Sequence, residues 1–216
     1  MRREALGTNT FYHIFNKSIA EYKIFTCKDE YLRMEKTIKY YRNKRNLKFS
    51  KFIKLNNTDN NGENNLIEGK LVEIIAYCIM PTHIHFILEQ ITDKGISIFL
   101  NNTLNSYTRY FNLRHKRKGP LWETRSKHIL IERDDYLLHL TRYIHLNPVT
   151  AGLVEKPELW EFSSYREYIG LKNTEKTCNF EEILDINPVS YKEFVESRIS
   201  DQKELARIKH LLLEEK

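Results

Sequence analysis

The stretch 71–89, LVEIIAYCIMPTHIHFILE, decides the fold. Two apolar, β-favouring runs, 71–78 and 83–89, are split by Met80-Pro81-Thr82. Runs of that length around so tight a connection predict two adjacent antiparallel strands. In the second run His83 and His85 stand two apart, so both imidazoles leave one face of the strand while Ile84 points into a core on the other. Two imidazoles so placed can ligate one divalent cation in their neutral form. His-x-His pairs are more often incidental than functional, and a third ligand has to come from elsewhere in the fold.

Outward from this pair the pattern is mixed. Residues 11–19 (FYHIFNKSI) alternate and predict a strand. Residues 29–46 carry Tyr31, Leu32, Met34, Ile38 and Tyr41 near helical spacing and predict a helix. The segment 56–65 holds six asparagines in ten residues, cannot bury a face, and reads as a loop. Helical periodicity returns over 96–111 and is broken by the 116–120 stretch. A strand is expected over 126–132 and a helix over 134–146, with Pro148 as its stop. The order β-α-β-β-α-β-α predicts an α+β fold, an antiparallel sheet with helices on its faces. Two further helices, 190–199 and 201–213, read as a small C-terminal helical appendage, which divides the chain into 1–172 and 173–216.

Composition bounds the function. The 216 residues are 41% hydrophobic and 12% aromatic, enough for a core, which excludes global disorder. The longest apolar run has seven residues, far short of the roughly 20 that span a bilayer. The opening Met1-Arg2-Arg3-Glu4 leads into no secretory apolar stretch, so a soluble cytoplasmic protein with no membrane partner is expected. Cys27, Cys78 and Cys178 are widely separated and include no Cys-x-x-Cys, which argues against a disulfide scaffold and a thiolate zinc site. Charge is uneven: the chain is +6 overall, 112–133 carries +5, the tail 175–216 carries −3, and the first 174 residues carry +9. A basic body with an acidic tail suits a polyanionic partner such as nucleic acid, against the blander reading of a solvated loop and a soluble tail.

The helix over 134–146 offers more chemistry. At about 100° per residue, Leu137, Leu140 and Ile144 form the buried stripe, and Tyr136, His139, Tyr143 and Asn147 gather on its flank. Tyr143 and Asn147 are i and i+4 neighbours, so a hydroxyl and an amide oxygen can face one point. A tyrosine there is more often simply packed.

Three separated segments, in order, resemble a family. Residues 80–88 (MPTHIHFIL), 119–125 (GPLWETR) and 142–154 (RYIHLNPVTAGLV) are similar to the single-tyrosine HUH transposases, and most to their REP-associated branch. Residues 12–17 (YHIFNK) resemble the family's first strand and 160–165 (WEFSSY) its usual end, so the likeness covers roughly 8–170. Thr82 stands where many relatives have asparagine; the asparagine-rich insertion and the acidic tail lie outside the family pattern.

The resemblance implies a ferredoxin- or RRM-like core with His83 and His85 as metal ligands, Tyr143 as nucleophile and Asn147 as a further ligand. It implies a transposase or endonuclease that cleaves and rejoins single-stranded DNA at or near hairpins through a 5′-phosphotyrosine, with Mg²⁺ or Mn²⁺ as cofactor, in the cytoplasm at the nucleoid. A domesticated nuclease and a non-catalytic nucleic-acid-binding module are the alternatives, and both homodimer and monomer are compatible with the likeness. His139 and His145 are the imidazoles offered as bases. Lys116, Arg117, Lys118, Arg125, Lys127 and Arg142 are the expected DNA-binding cations. Trp122, Tyr107 and Tyr110 are offered as base-stacking rings, with burial in the core the stronger reading for Trp122 and Tyr107.

Overall fold

The two apolar runs of 71–89 form strands β4 (Val72–Met80) and β5 (His83–Gln90), joined by the two-residue turn Pro81-Thr82. The computed structural model describes residues 6–58, 67–123, 126–132, 134–172, 176–202 and 204. Before the hairpin come β1 (Phe11–Lys17), α1 (Lys28–Tyr41), β2 (Asn43–Arg45), α2 (Phe49–Thr58) and β3 (Ile67–Lys70). After it come α3 (Gly95–Arg114), β6 (Lys127–Ile131), α4 (Asp134–Thr150), the single turn α5 (Tyr165–Tyr168) and α6 (Pro188–Glu196).

The main sheet runs β4-β5-β1-β6, antiparallel throughout, while β2 and β3 pair as a small ribbon of their own. Apart from that ribbon and α2, the order is the βαββαβ arrangement with helices on both faces, as the sequence predicts. Strand β1 shows why. Tyr12, Ile14 and Asn16 are buried, and His13, Phe15 and Lys17 alternate with them, half-buried, on the opposite face. The first set meets the layer of α1 and α3, where Phe86 packs on Phe99 with ring centroids 5.7 Å apart and Tyr77 donates to Glu35 at 2.8 Å. The second set meets α4. Because β4 is covered on both sides, every one of its residues is buried, so it reads as a continuous apolar run rather than an alternation. No described helix is long and apolar enough to cross a membrane.

Four expectations are corrected. The helix expected over 29–46 ends at Tyr41, because the chain turns at Arg42 to place Asn43–Arg45 beside Ile67–Lys70. The loop expected over 56–65 begins inside α2, which is drawn into helix by Phe49 and Phe52 packing on Tyr40; residues 59–66 lie outside the described residues. Pro148 does not stop α4, which continues to Thr150. It ends instead where Gly152 adopts φ +67°, its N–H donating to Val149 and that of Leu153 to Pro148. This is a left-handed closure that satisfies the last carbonyls and that glycine adopts without strain. The helix expected over 190–199 is α6, beginning two residues earlier. Of the one expected over 201–213, residues 201, 202 and 204 are helical and the rest lie outside the described residues. Residues 176–196 pack into the main core, where Tyr191 and Val195 are buried.

Candidate active site

The geometry of β1 and β5 builds the site. Their ladder sets Phe15 opposite His85 and Lys17 opposite His83, and the β1–β6 ladder sets Lys127 opposite Phe15. Residues directly opposed across a ladder share a face, so His13, Phe15, Lys17, His83, His85 and Lys127 all belong to the side of the sheet that α4 covers. Tyr143 descends from α4 onto this patch. Its ring centroid lies 5.9 Å from that of His85 and 6.3 Å from that of His13, edge-on to both. The phenol is 45% exposed, open to a substrate from outside, while partial burial raises its pKa above the ordinary value of 10.

The imidazoles are held neutral. Burial lowers His83 to about 4, with the Lys17 ammonium adding to the shift. His85, only 4% exposed, is pushed well below the ordinary value of 6.5 by burial first and then by His83, His13 and Lys17. Burial also takes His13 to about 4. Neutral imidazole is the form that ligates a metal. One turn beyond Tyr143 on α4, the amide nitrogen of Asn147 is buried with no hydrogen-bond partner. A half-turn of that amide puts its carbonyl oxygen in the orphaned place. Two neutral nitrogens and an amide oxygen are donor types that suit a divalent cation. Among the described residues no set of three or more His, Cys, Asp or Glu side chains is placed to hold a metal, so such a shell needs the amide or a substrate oxygen to complete it.

A buried relay fixes α4. Tyr77 N–H donates to Ser164 Oγ at 2.9 Å, and His145 Nε2 lies 2.7 Å from the same hydroxyl. His145 Nδ1 lies 2.7 Å from Tyr191 Oη, which donates to Thr141 at 2.8 Å. His145 is therefore corrected from candidate base to structural group, because it is fully buried and both its nitrogens are engaged away from the tyrosine. Burial lowers it to about 3. A depressed folded-state value means that its contribution is present above the unfolded value near 6.5 and is lost as pH falls toward 3. Between pH 6.5 and 5 we expect the relay to lose about 2 kcal/mol of stability, read as a falling urea midpoint with a constant slope, to which His13, His83 and His85, also held neutral by burial, add their own loss. A midpoint flat across that window would show that His145 is not held neutral.

The other sequence-predicted residues are scattered. His139 is exposed, and its Nδ1 accepts from Arg142 at 2.9 Å. Arg142 in turn lies over the Phe194 ring at 4.1 Å, tying α4 to α6. Lys116 and Lys118 are exposed beyond the end of α3, whereas Arg117 donates to Asn112 and Pro120 and braces that loop. Trp122 is 9% exposed and packs near Phe25 and Tyr107, and Tyr107 donates to the Ile24 carbonyl at 2.5 Å. Both are core positions rather than open stacking faces. Arg125 lies outside the described residues. His13 and Lys17 are outside the residues expected from the sequence, although the period of two along 11–17 puts both on one face.

A family model described as IS200-like transposase matches residues 61–147, a stretch that contains His83, His85, Tyr143 and Asn147. A putative REP-associated tyrosine transposase of Haemophilus influenzae is 30% identical over 103 residues, which are 43% of this chain and 58% of that protein. This chain thus spans little more than half the length of that curated relative. The solved structure of a REP-associated tyrosine transposase bound to a REP hairpin has the same fold, with TM-score 0.50 over 83% of this chain and 92% of that one at 17% identity.

Proposed function

We propose that this chain, a relative of the REP-associated tyrosine transposases, cleaves and rejoins single-stranded DNA at or near hairpins through a 5′-phosphotyrosine. The observation that carries the reading is the meeting of the Tyr143 phenol with the His85 and His13 rings, 5.9 and 6.3 Å away, within one chain. An exposed tyrosine beside buried neutral imidazoles is a nucleophile next to metal-competent donors rather than a packed aromatic.

In this reading the Tyr143 oxygen attacks the scissile phosphorus and loses its proton. The bond from phosphorus to the 3′ oxygen breaks, and that oxygen leaves as a 3′-hydroxyl. One phosphoester is exchanged for another, so a second 3′-hydroxyl can reverse the step without ATP. His83, His85 and Asn147 would hold Mg²⁺ or Mn²⁺, which when bound supplies Lewis-acid polarisation of a non-bridging phosphate oxygen. Residues 1–172 carry this chemistry, and Tyr191 and Phe194 brace α4 from the C-terminal side of the chain.

A denaturing gel tests the proposal. With a hairpin-bearing oligonucleotide and Mg²⁺ or Mn²⁺, label at the DNA's 3′ end should migrate with the protein, and label at its 5′ end should appear in a free fragment. Cutting with no protein-bound label would instead mean hydrolysis by water, and binding without cutting would mean a non-catalytic module.

Lys17 and Lys127, on the face of Tyr143, are assigned to backbone phosphates. Lys17→Ala and Lys127→Ala should each weaken hairpin binding evenly across sequences. Each should also flatten the slope of log affinity against log salt concentration by about 0.7–0.9. Fluorescence anisotropy at several salt concentrations measures this; an unchanged slope removes the residue from the interface.

A further inference from the structure

An imidazole offers two nitrogens, and the partner of one decides which is left for a metal. Both candidate ligands already have a partner at Nδ1. His83 Nδ1 lies 2.9 Å from the Thr82 hydroxyl, and His85 Nδ1 lies 3.2 Å from His13 Nε2. The His13 and His85 rings are nearly parallel, 12° apart with centroids at 5.4 Å. His13 reaches this position from β1, where it faces Ile87 across the ladder, two residue pairs on from Phe15 and His85 and so on the same face.

Two neutral imidazoles can share a hydrogen bond only if one contributes N–H and the other a lone pair. We propose that His13 is a positioning residue: its Nε2 accepts the Nδ1–H of His85, locking His85 in the tautomer whose Nε2 is unprotonated and available to a divalent cation. Thr82 does the same for His83 by accepting from its Nδ1. The alternative, His13 as a third ligand, is disfavoured because its Nε2 is spent on His85 and no three His, Cys, Asp or Glu side chains among the described residues are placed to hold a metal.

The inference rests on the metal chemistry proposed for His83 and His85, and the experiment separates the two. Long-range ¹H–¹⁵N NMR on the metal-free full chain reads the His85 tautomer with no variant at all; protonation at Nδ1 is expected, and protonation at Nε2 overturns the proposal. Mn²⁺ titration followed by electron paramagnetic resonance then compares wild type, His13→Ala and His13→Gln. Alanine should weaken binding by about 10–100-fold, the usual effect of removing a ligand's outer partner. Glutamine, whose amide oxygen can accept the same N–H, should restore it to within a few-fold. Equal binding by the alanine variant and wild type overturns the positioning role, as does a glutamine variant no better than alanine. Wild-type protein that binds no Mn²⁺ overturns the metal reading, and the tautomer measurement still decides the His13–His85 bond.

Discussion

Tyr143→Phe is expected to abolish the protein–DNA adduct and strand cleavage while leaving hairpin affinity within about twofold of wild type. The substitution deletes one oxygen and keeps the ring that meets His85 and His13 edge-on at 5.9 and 6.3 Å, so the packing of α4 on the sheet is retained. At 45% exposure the hydroxyl is no part of the core, and its loss should move stability by no more than about 0.5 kcal/mol. The catalytic loss should be at least about 10³-fold, near 4 kcal/mol of transition-state stabilisation, because phenylalanine has no oxygen with which to form the covalent intermediate. The informative failure is a Phe variant that still carries 3′ label. That would move the nucleophile elsewhere, and Tyr136, exposed on the same helix, would be the next tyrosine to replace.

The legible parts of this molecule are those whose patterns are local. The hairpin of β4 and β5 follows from two apolar runs and a proline turn, and the shared face of His83 and His85 follows from the strand period alone. The convergence of Tyr143 on that face is not a local property: it needs the strand order β4-β5-β1-β6 and α4 crossing back over it, which here came from resemblance. His13 is hidden for the same reason, since one histidine on an alternating strand gains meaning only when β1 pairs with β5 and brings its Nε2 to 3.2 Å from His85 Nδ1. The end of α1 is not legible in the sequence because Tyr41 continues the helical stripe, while the turn at Arg42 is set by pairing with a strand more than 20 residues further on. His145 was offered as a base because it neighbours Tyr143 in sequence. Two residues further along a helix is about 200° around it, and its partner Tyr191 lies in the segment whose function could not be read from sequence.

Removing the metal donors is the second large effect. His83→Ala combined with His85→Ala should cut adduct formation by about 10²–10⁴-fold, the several kcal/mol that Lewis-acid help contributes to phosphate chemistry. A chelator should do the same to wild type, reversibly on adding back Mn²⁺. The two treatments differ in a way that tests the site. Burial holds both imidazoles neutral, so the variant discards no fixed charge, and hairpin binding through Lys17 and Lys127 should persist in the variant as in chelated wild type. Neither substitution leaves a buried polar atom orphaned on the protein side except where Thr82 and His13 lose their Nδ1 partners, so a modest fall in melting temperature is expected, not unfolding. If added Mn²⁺ restores the double variant as fully as it restores chelated wild type, the donors lie elsewhere. If chelation leaves the adduct untouched, Tyr143 acts without a cation and the imidazoles serve the phosphate only as neutral hydrogen-bond donors.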